Sequence, residues 1–455
     1  MEKIQIVHTN DLHSHFENFP RVERFIKQAR QTSSADDFYL FDLGDAEDRA
    51  HPLTEATNGQ ANIDWMNPLH YDAATIGNNE GLGNSHHDLE HLYDHANFPI
   101  VLNNLFEKDD GKLAHFAQPA KIFKTKQQTT IGVIGLTAPY ILTYPLLNWD
   151  IKLVQEMLPK SLELVKDCDV IVLLSHLGVS MDRLIASKHP EIDVIIGSHS
   201  HHLFPKGEMD NGVLLAAAGK YGQHIGTIDL ELDDQKQVTA KSAFTTKTES
   251  LEVLPNDAQW IKGQFDKGEE LLSQKKIADL PQTLSSDYAA DNSIMQEALT
   301  AVQDFAQTDV AILSSGLFLD DLPQGIITEK NLHDILPHAI HVMKTTMTGD
   351  NVWRLVMEME KNRLFLRNHL QKGMGFRGKI FGELVYRGIT IDDKRNVYVN
   401  GKELDKNHEY TLALLDHYLF VPYFPSIEIA GDNEIMYPKF LRSVFGDYLS
   451  KKYPI

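Results

Sequence analysis

The sequence predicts an α/β fold in the first half of the chain, followed by a second α/β domain. Short apolar, β-branched segments such as KIQIVHT, TIGVIGL and VIVLLSH recur through the first half. Helical patterns separate these segments, and one pattern carries apolar residues at i, i+3, i+4 and i+7, namely Val22, Phe25, Ile26 and Ala29. Strands that alternate with helices in this way are typical of a sheet covered by helices.

A polar stretch and a charged helix separate the two predicted domains. The segment DDQKQVTAKSAFTTKTES leads into PNDAQWIKGQFDKGEELLSQKK, which is long and charged, with Asn256 or Asp257 as a possible N-cap. A new pattern follows, with an amphipathic helix and then the strand-like segment DVAILSS. We therefore predict a first domain at 1–240, a linker with an inter-domain helix at 241–276, and a second domain at 277–455.

The composition is that of a globular protein and excludes several classes of partner. The chain carries 43 Lys and Arg against 64 Asp and Glu, a net charge of −21, which argues against binding to nucleic-acid polymers or anionic membranes. The single cysteine, Cys168, excludes an internal disulfide framework. No segment approaches the roughly 18 apolar residues of a membrane span. The chain starts MEKIQIVHTN, without a signal-peptide pattern, which favours a cytoplasmic location.

Five polar clusters in the first domain share one position, directly after an apolar strand. Their chemically informative members are Asp11, His13, Asp45, Asn78, Asn79, Glu80, His176, His199 and His201. In open α/β sheets, ligands bind beyond the carboxyl ends of the strands. We therefore expect the five clusters to meet at one edge and to form a single site.

The side chains in these clusters suit divalent metal ions. Carboxylates and imidazoles bind Mn²⁺, Zn²⁺, Fe²⁺ or Co²⁺, and one carboxylate can bridge two ions. Two ions about 3.5–4 Å apart can hold the attacking and leaving oxygens of a phosphoryl transfer. Each cluster alone is also typical of an ordinary turn or polar loop. The occurrence of all five within one domain is what predicts a two-metal site.

The order of the motifs resembles a known family. DLHS, LGD, GNNE, SHLG and GSHSH, in this sequence, are similar to the motifs of calcineurin-like metallophosphoesterases, and in particular of the 5′-nucleotidase family. The segments VLNNLF and SSGLFLDDLPQGIITEKNLHDILPHAIHVMKTTMTG resemble later parts of the same family. The resemblance implies an N-terminal α/β/β/α sandwich, a C-terminal α/β substrate-binding domain, and the activity of a phosphoric ester hydrolase.

The resemblance also implies a role for each candidate ligand. One metal ion would be held by Asp11, His13, Asp45 and His201, and the other by Asp45, Asn78, His176 and His199. Asp45 would bridge the ions, and a bridging hydroxide would attack phosphorus in line with the leaving oxygen. The expected cofactors are two divalent ions, Mn²⁺ or Zn²⁺ first, with Fe²⁺, Co²⁺ or Mg²⁺ as alternatives.

The sequence departs from the family motif beside one of these ligands. The family has Gly-Asn-His-Glu, whereas this chain has Asn79 in place of the histidine. An amide donates hydrogen bonds but does not transfer a proton. We expect Asn79 to be a catalytic-site residue, with His51 as a possible replacement for the missing imidazole. His15 and His202 are further candidates, and the alternative for all three is an ordinary loop histidine.

A second departure affects the predicted substrate contacts. The family holds phosphate with an arginine where this chain has Leu319. It also clamps the substrate base between two aromatic rings, and the aligned positions fall on His338 and within DHYLFVPYFPSI. The resulting candidates for substrate binding are Asn103, His338, Arg377, Tyr423 and Phe424. For Arg377 and its basic neighbours, an ordinary basic helix end and glycine loop explains the pattern equally well.

One further histidine pattern lies outside the five clusters. SHHDLEHLYDH places His87, His91 and His95 at i, i+4 and i+8, along one face of a helix. Three such histidines could bind a metal ion. The expectation from the sequence is nevertheless an exposed polar face.

Two functions from different classes remain open. The first is an active hydrolase of a nucleotide-like phosphorylated small molecule, of 5′-nucleotidase, 2′,3′-cyclic nucleotide phosphodiesterase or nucleotide-sugar or dinucleotide hydrolase type. The alternative is a catalytically weakened nucleotide-binding or sensory protein on the same scaffold, in which Asn79 has removed useful catalysis. The sequence does not indicate an oligomeric state.

Overall fold

The computed structural model describes residues 1–373 and 375–455. These form two compact units, Met1–Gly268 and Glu269–Ile455. The helix Asp257–Ser273 contains the point of division. The bounds of the predicted linker, 241–276, stay a prediction.

The first unit is built on two large sheets. Its strands are β1 (Glu2–Thr9), β2 (Asp37–Asp42), β3 (Ala73–Ala74), β4 (Ile100–Val101), β5 (Leu105–Glu107), β6 (Ala117–Gln118), β7 (Lys121–Lys124), β8 (Thr130–Thr137), β9 (Trp149–Ile151), β10 (Val170–His176), β11 (Val194–Gly197), β12 (Glu208–Asp210), β13 (Val213–Ala216), β14 (His224–Leu232) and β15 (Val238–Lys247). The first sheet has the order β15-β14-β1-β2-β3-β4-β6, and the second has the order β12-β13-β11-β10-β8-β7.

Helices alternate with these strands along the chain. They are α1 (Phe19–Thr32), α2 (Pro52–Ala56), α3 (Gln60–Met66), α4 (Asn78–Gly83), α5 (His86–Leu92), α6 (Val154–Val165), α7 (Val179–Lys188) and α8 (Asp257–Ser273). One buried cluster joins both sheets through residues such as Ile6, Phe41 and Val172. Another joins the second sheet to α6 and α7, for example through Leu173 and Met157. Fully buried strands of this kind read as continuous apolar segments, because both of their faces are covered.

Parallel pairing brings the polar clusters to one edge of each sheet. β1 pairs in parallel with β2, with Thr9 opposite Asp42. β10 pairs in parallel with β11, with Ser175 opposite Gly197. Since the chain leaves neighbouring strands at the same level, the loops that follow them start side by side.

The second unit is a smaller mixed α/β structure. Its strands are β16 (Lys276–Leu280), β17 (Val310–Ser314), β18 (Gly325–Thr328), β19 (His341–Thr348), β20 (Leu384–Arg387), β21 (Ile389–Ile391), β22 (Val397–Val399), β23 (Lys402–Glu403), β24 (Glu409–Leu415) and β25 (Asp432–Phe440). Its helices are α9 (Ile294–Ala306), α10 (Glu329–Ile335), α11 (Gly349–Leu366), α12 (Pro425–Ala430) and α13 (Leu441–Lys452). The main sheet has the order β20-β17-β24-β19-β25.

Two local features of this unit follow from its sequence. The hydroxyl of Ser293 caps α9 by accepting the N–H of Met295, and the apolar face of α9 is buried in the core. Asn400 and Gly401 both have positive φ, 51° and 78°, at the hairpin between β22 and β23. A tight hairpin of this type requires such a backbone, which explains the Asn-Gly pair.

None of the helices in residues 1–373 and 375–455 is both long and apolar enough to span a membrane.

Phe41 provides a test of the core between the two sheets. Its side chain is fully buried, so Phe41→Ala is expected to lower the free energy of unfolding by about 3–5 kcal/mol, through lost burial and a cavity. The matched control is Phe244→Ala on β15, where the ring is 42% exposed and the expected change is about 0.5 kcal/mol. Urea unfolding followed by circular dichroism measures both, and equal losses would contradict this account of the core.

Candidate metal centre

The loops after the strand ends have an unusual backbone. Five of the seven predicted metal ligands have positive φ: Asp11 49°, His13 48°, Asp45 51°, His199 72° and His201 53°. A left-handed backbone at a non-glycine residue costs on the order of 1–3 kcal/mol and persists only where the surroundings enforce it. Such conformations cluster at functional sites, and five of the sixteen non-glycine residues with positive φ in the described chain are predicted ligands.

Hydrogen bonds between the first two loops enforce this conformation. The backbone N–H of Asp11 donates to Gly44 O at 3.1 Å, and that of His13 donates to Asp45 O at 2.9 Å. Ser14 continues the ladder by donating to Ala46 O at 3.0 Å. The loop after β1 is therefore bound directly to the loop after β2.

The carboxylate of Glu80 binds a second pair of loops together. It accepts the backbone N–H groups of Asp45 at 2.9 Å, Ala46 at 2.7 Å and Gly77 at 2.8 Å. Burial raises the pKa of Glu80, and the negative charge of Asp45 adds to this effect. The sequence places Glu80 in the GNNE motif but does not reveal this role. An N3 glutamate that reaches back to the N-cap residue of its helix is nevertheless a known capping pattern.

Glycine is required where these loops meet. Gly44 has a φ of 82°, and a Cβ there would lie 2.2 Å from the backbone nitrogen of Gly77. A Cβ on Gly77 would lie 2.1 Å from Asp45 Oδ1 and 2.4 Å from His176 Cε1. The close approach of these loops therefore depends on the absence of both side chains.

Four predicted ligands form one group of donor atoms. The Nε2 atoms of His13 and His201 lie 3.1 Å apart. Asp11 Oδ1 lies 3.6 Å from His201 Nε2 and 3.9 Å from His13 Nε2. Asp45 Oδ2 lies 3.7 Å from His13 Nε2. These atoms converge as the ligands of a single ion do.

The remaining predicted ligands lie on the other side of Asp45. Asp45 Oδ2 is 3.6 Å from His176 Nε2. Asn78 Oδ1 is 2.8 Å from His199 Nδ1, and the rings of His176 and His199 have centroids 5.2 Å apart. The structure thus brings all seven predicted ligands together, with Asp45 between the two groups.

His176 has the orientation expected of a metal ligand. It is fully buried, and its Nδ1–H donates to Leu43 O at 2.7 Å. Its Nε2 faces Asp45 beyond hydrogen-bond distance and has no hydrogen-bond partner within the described structure. Buried polar atoms are rarely left unpaired, so this one requires an explanation. Histidines that bind metal use one nitrogen as ligand and donate the other N–H to an acceptor such as a carbonyl.

The charges of the ligands agree with cation binding. Burial would lower the pKa of His176, but the nearby carboxylate of Asp45 outweighs it and raises that pKa to about 10. The raised pKa reflects the negative charge around the ring, and a metal ion bound there would displace the proton from His176. Conversely, His176 and His13 hold the pKa of Asp45 well below its usual range in spite of burial. Burial lowers the pKa of His199 to about 4, with a further contribution from His176, so His199 is neutral, as a ligand must be.

Asn79 lies among these ligands. Its backbone N–H donates to Asp45 Oδ1 at 2.7 Å. Its side-chain Nδ2 donates to Glu47 O at 2.7 Å and lies 3.0 Å from His13 Nδ1. Asn79 is thus held at the candidate metal centre through both its backbone and its side chain.

The three histidines considered as replacements for the missing imidazole occupy different positions. His51 is the N-cap of α2, where its Nδ1 accepts the N–H of Leu53, and its ring packs on Phe16 with a centroid distance of 4.4 Å. His15 stacks on Tyr221 at 3.7 Å. His202 packs edge-on against Phe204 at 4.6 Å. A catalytic role for any of them stays a prediction.

Several residues that position the ligands had no clear signal in the sequence. Asn10 Nδ2 and Ser198 Oγ donate to Asp11 Oδ2 at 2.8 and 2.7 Å. The hydroxyl of Tyr140 lies 3.4 Å from His199 Nε2. Asn10 and Ser198 are direct neighbours of predicted ligands in the chain, whereas nothing in the pattern around Tyr140 pointed to the centre.

Unlike the predicted metal ligands, the predicted substrate contacts do not form one group, and some of them are buried. Asn103 is buried, and its Nδ2 donates to Ser161 Oγ at 2.9 Å. In the second unit, His338 is buried and stacked on Phe376 with a centroid distance of 4.9 Å. Its Nε2–H donates to Leu317 O at 2.7 Å, and its Nδ1 accepts the backbone N–H of Arg377 at 2.9 Å.

The aromatic candidates of the second unit differ in exposure. Phe424 is fully buried, whereas Tyr423 is half-buried and its hydroxyl lies 2.8 Å from His369 Nε2. A substrate base stacks only on an accessible ring face. In this conformation Tyr423 meets that requirement better than Phe424 or His338, and the set of substrate contacts stays a prediction.

Comparisons with known proteins agree with the two units and the motifs. A family model described as calcineurin-like phosphoesterase matches residues 4–203, and one described as 5′-nucleotidase, C-terminal domain, matches residues 274–420. A Bacillus subtilis (strain 168) protein named uncharacterized metallophosphoesterase YunD is 36% identical over 470 residues, covering 97% of this chain and 98% of that protein. The chain therefore belongs to the 5′-nucleotidase family of calcineurin-like metallophosphoesterases.

Solved structures share the fold over nearly the whole chain. A putative 5′-nucleotidase from Staphylococcus aureus, in complex with alpha-ketoglutarate, matches with a TM-score of 0.68 at 18% identity, covering 98% of this chain and 96% of that one. The NAD nucleotidase of Haemophilus influenzae matches with a TM-score of 0.66 at 15% identity, covering 99% and 96%. The predicted fold class, with an N-terminal calcineurin-like domain and a C-terminal 5′-nucleotidase domain, is confirmed.

Gly77 tests the geometry of the metal centre. In Gly77→Ala the new Cβ collides with Asp45 and His176, so we expect fewer divalent ions bound per chain, as measured by elemental analysis after loading with Mn²⁺. The control is Gly83→Ala at the end of the same helix, where a Cβ meets nothing within 4 Å. Normal metal content in Gly77→Ala would contradict the proposed ligand geometry.

Asp182 gives the first unit a predictable pH dependence. Burial raises its pKa to about 7, against the hydrogen bond from Ser175 Oγ. Because the folded pKa lies above the unfolded value of 3.8, the stability that Asp182 contributes is complete below about pH 4 and is lost as pH rises to about 7. The loss amounts to about 1.4 kcal/mol per pH unit within that window.

Asp182→Asn should remove this dependence, because an amide resembles the protonated acid and does not titrate. Urea unfolding at several values between pH 4.5 and pH 8 is expected to show a flatter stability profile than the wild type. Asp167→Asn, on the exposed surface, is the control. Parallel profiles for wild type and Asp182→Asn would show that Asp182 does not titrate in this range.

Proposed function

We propose that this chain hydrolyses a phosphate ester or anhydride of a nucleotide-like small molecule at a dinuclear metal site. The observation that carries the proposal is the arrangement around Asp45: seven oxygen and nitrogen donors converge there, and the buried His176 Nε2 faces its carboxylate without a hydrogen bond. Such a set of carboxylate, amide and imidazole donors suits divalent ions of the Mn²⁺ and Zn²⁺ type.

The ligands divide between two ions as the family resemblance implies. Asp11, His13, Asp45 and His201 would hold one, and Asp45, Asn78, His176 and His199 would hold the other. When bound, the ions would supply an activated water and would stabilise the charge that develops on the phosphoryl oxygens. Asn10 and Ser198 orient Asp11 for this purpose by hydrogen bonds to its second oxygen.

Asn79 changes what the protein can contribute beside the metals. Its Nδ2 donates to Glu47 O, so the amide is fixed next to the ligands. It can orient a neighbouring group by hydrogen bonding but cannot act as an acid or base. Proton transfer by a positioned side chain typically contributes a factor of about 10²–10⁴ in rate. We therefore expect either a slow enzyme or one whose leaving group needs no protonation.

The nucleotide-like substrate class rests on the second domain and on the relatives. The match to the 5′-nucleotidase C-terminal domain supports mononucleotides, and a structural neighbour that is named an NAD nucleotidase supports dinucleotides. Cyclic nucleotides rest on the family resemblance of the sequence alone. A leaving group of low pKa, such as the phosphate released from a diphosphate bridge, suits a centre without an imidazole acid. The cytoplasmic location and the absence of a polymeric or membrane partner stay predictions.

A substrate panel tests the proposal. Metal-stripped protein is reloaded with Mn²⁺ and assayed with 5′-nucleotides, 2′,3′-cyclic nucleotides, nucleotide sugars and dinucleotides. We expect turnover on at least one class, and its loss in His176→Ala. The control is His189→Ala, a partly buried histidine outside the candidate metal centre that pairs with Glu191 at 2.9 Å. If the metal-loaded protein turned over none of these compounds, the hydrolase proposal would fail.

Asn79→His distinguishes the alternative function. In a catalytically weakened nucleotide-binding or sensory protein, the substitution should create phosphatase activity or raise it by about 10²–10⁴, while calorimetry shows that the unaltered chain binds nucleotide without cleaving it. In an adapted hydrolase, the substitution should lower an activity that already exists. The direction of the change therefore decides between the two.

A further inference from the structure

A group of histidines and glutamates lies on the surface of the first unit, outside the metal centre. His87 and His91 stand on α5 at i and i+4, with ring centroids 4.5 Å apart. Glu90 lies between them in the sequence, and donor atoms of His87, Glu90 and His91 are all within 4.8 Å of one another. Two histidines at this spacing project from one helix face, an arrangement that binds zinc in helical motifs.

A second segment brings a third imidazole to the same carboxylate. His115 lies in the loop between β5 and β6, and its Nδ1 is 3.7 Å from Glu90 Oε1. The other oxygen of Glu90, Oε2, is 4.0 Å from His91 Nε2. These distances exceed hydrogen-bond length, so the carboxylate lies between two imidazoles without binding directly to either. A cation in that space would satisfy all three side chains.

The tautomer of His91 favours metal binding. Its Nδ1–H donates to Asp94 Oδ2 at 2.8 Å, which leaves Nε2 as a bare nitrogen on the side of Glu90. Metal-binding histidines commonly donate their other N–H to a carboxylate, which orients the ring and increases its basicity. Asp94 has this position relative to His91, as Leu43 O has relative to His176 in the metal centre.

The site is open to solvent and separate from the proposed reaction. The side chains of His91 and His115 are 50% and 49% exposed, and that of Glu90 is 35% exposed. An ion can therefore enter without unfolding. None of these residues belongs to the seven ligands around Asp45.

We propose that His87, Glu90, His91 and His115 form an additional binding site for one divalent ion of the zinc class. Three imidazoles and one carboxylate supply four nitrogen and oxygen donors, the usual number for zinc. The ion would bind α5, which follows the GNNE helix directly, to the loop after β5. Binding to the folded state alone would also stabilise the first unit.

Zinc counting tests this site. Metal-stripped protein is titrated with Zn²⁺, and the ions bound per chain are counted by native mass spectrometry. We expect His87→Ala/His91→Ala to hold one zinc ion fewer than the wild type, with unchanged circular dichroism because both side chains are on the surface. His189→Ala, which removes another exposed histidine–glutamate pair, should hold as many ions as the wild type.

The result is independent of the metal centre. His176→Ala should lose zinc only from the centre around Asp45, and combining it with His87→Ala/His91→Ala should remove one further ion. If the dinuclear proposal failed, the surface ion would still be counted and would still be lost in the double variant. Asp94→Asn should weaken zinc binding at the surface site about 10–100-fold. Equal zinc content in the wild type and His87→Ala/His91→Ala would overturn the proposal.

Discussion

The hydrogen bonds to the carboxylate of Glu80 are the interaction on which the candidate metal centre depends. This buried side chain accepts the N–H groups of Asp45, Ala46, Glu47 and Gly77 at 2.7–3.3 Å. A buried carboxylate without partners would be very costly, and so would unpaired backbone N–H groups. The carboxylate and the backbone N–H groups therefore depend on each other for their hydrogen bonds. Asn78 and Asn79 follow Gly77 directly. The side chain of Glu80 therefore fixes the position of Asp45, the candidate bridging ligand, and also the start of the segment that carries Asn78 and Asn79.

The ionisation of the buried carboxyl groups bears on how an acidic chain would bind the proposed phosphorylated substrate. Burial raises the pKa of Asp42 and of Glu47 to about 8, so both are largely protonated at neutral pH. By contrast, the pKa of Asp45 is held below its usual range, so its carboxylate stays ionised 3.6 Å from His176 Nε2. The net charge of −21 disfavours the binding of anions in general. Metal ions bound beside Asp45 would provide the local positive charge that attracts a phosphorylated substrate.

Much of this centre could be predicted from the sequence because its ligands follow strands in short, fixed motifs. Parallel pairing places the residues after β1 next to those after β2, and the residues after β10 next to those after β11. The meeting of the two pairs depends in addition on the packing of one sheet on the other. The contribution of Tyr140 could not be predicted in this way, since a loop side chain reaches its target only through tertiary packing. Likewise, the family resemblance pointed to His338 in the second unit but did not predict that its ring is buried. That burial depends on packing against Phe376 and on the hydrogen bond from the backbone of Arg377.

The left-handed backbone of the ligand loops also restricts which amino acids can serve there. Asp11, His13, Asp45, His199 and His201 all occupy a region that β-branched side chains avoid and in which Asp, Asn and His are enriched. A valine or an isoleucine at one of these positions would strain the backbone as well as remove a ligand. At these five positions, the backbone conformation and the ligand chemistry therefore restrict the acceptable amino acids together. A replacement has to tolerate positive φ and also has to supply a donor atom.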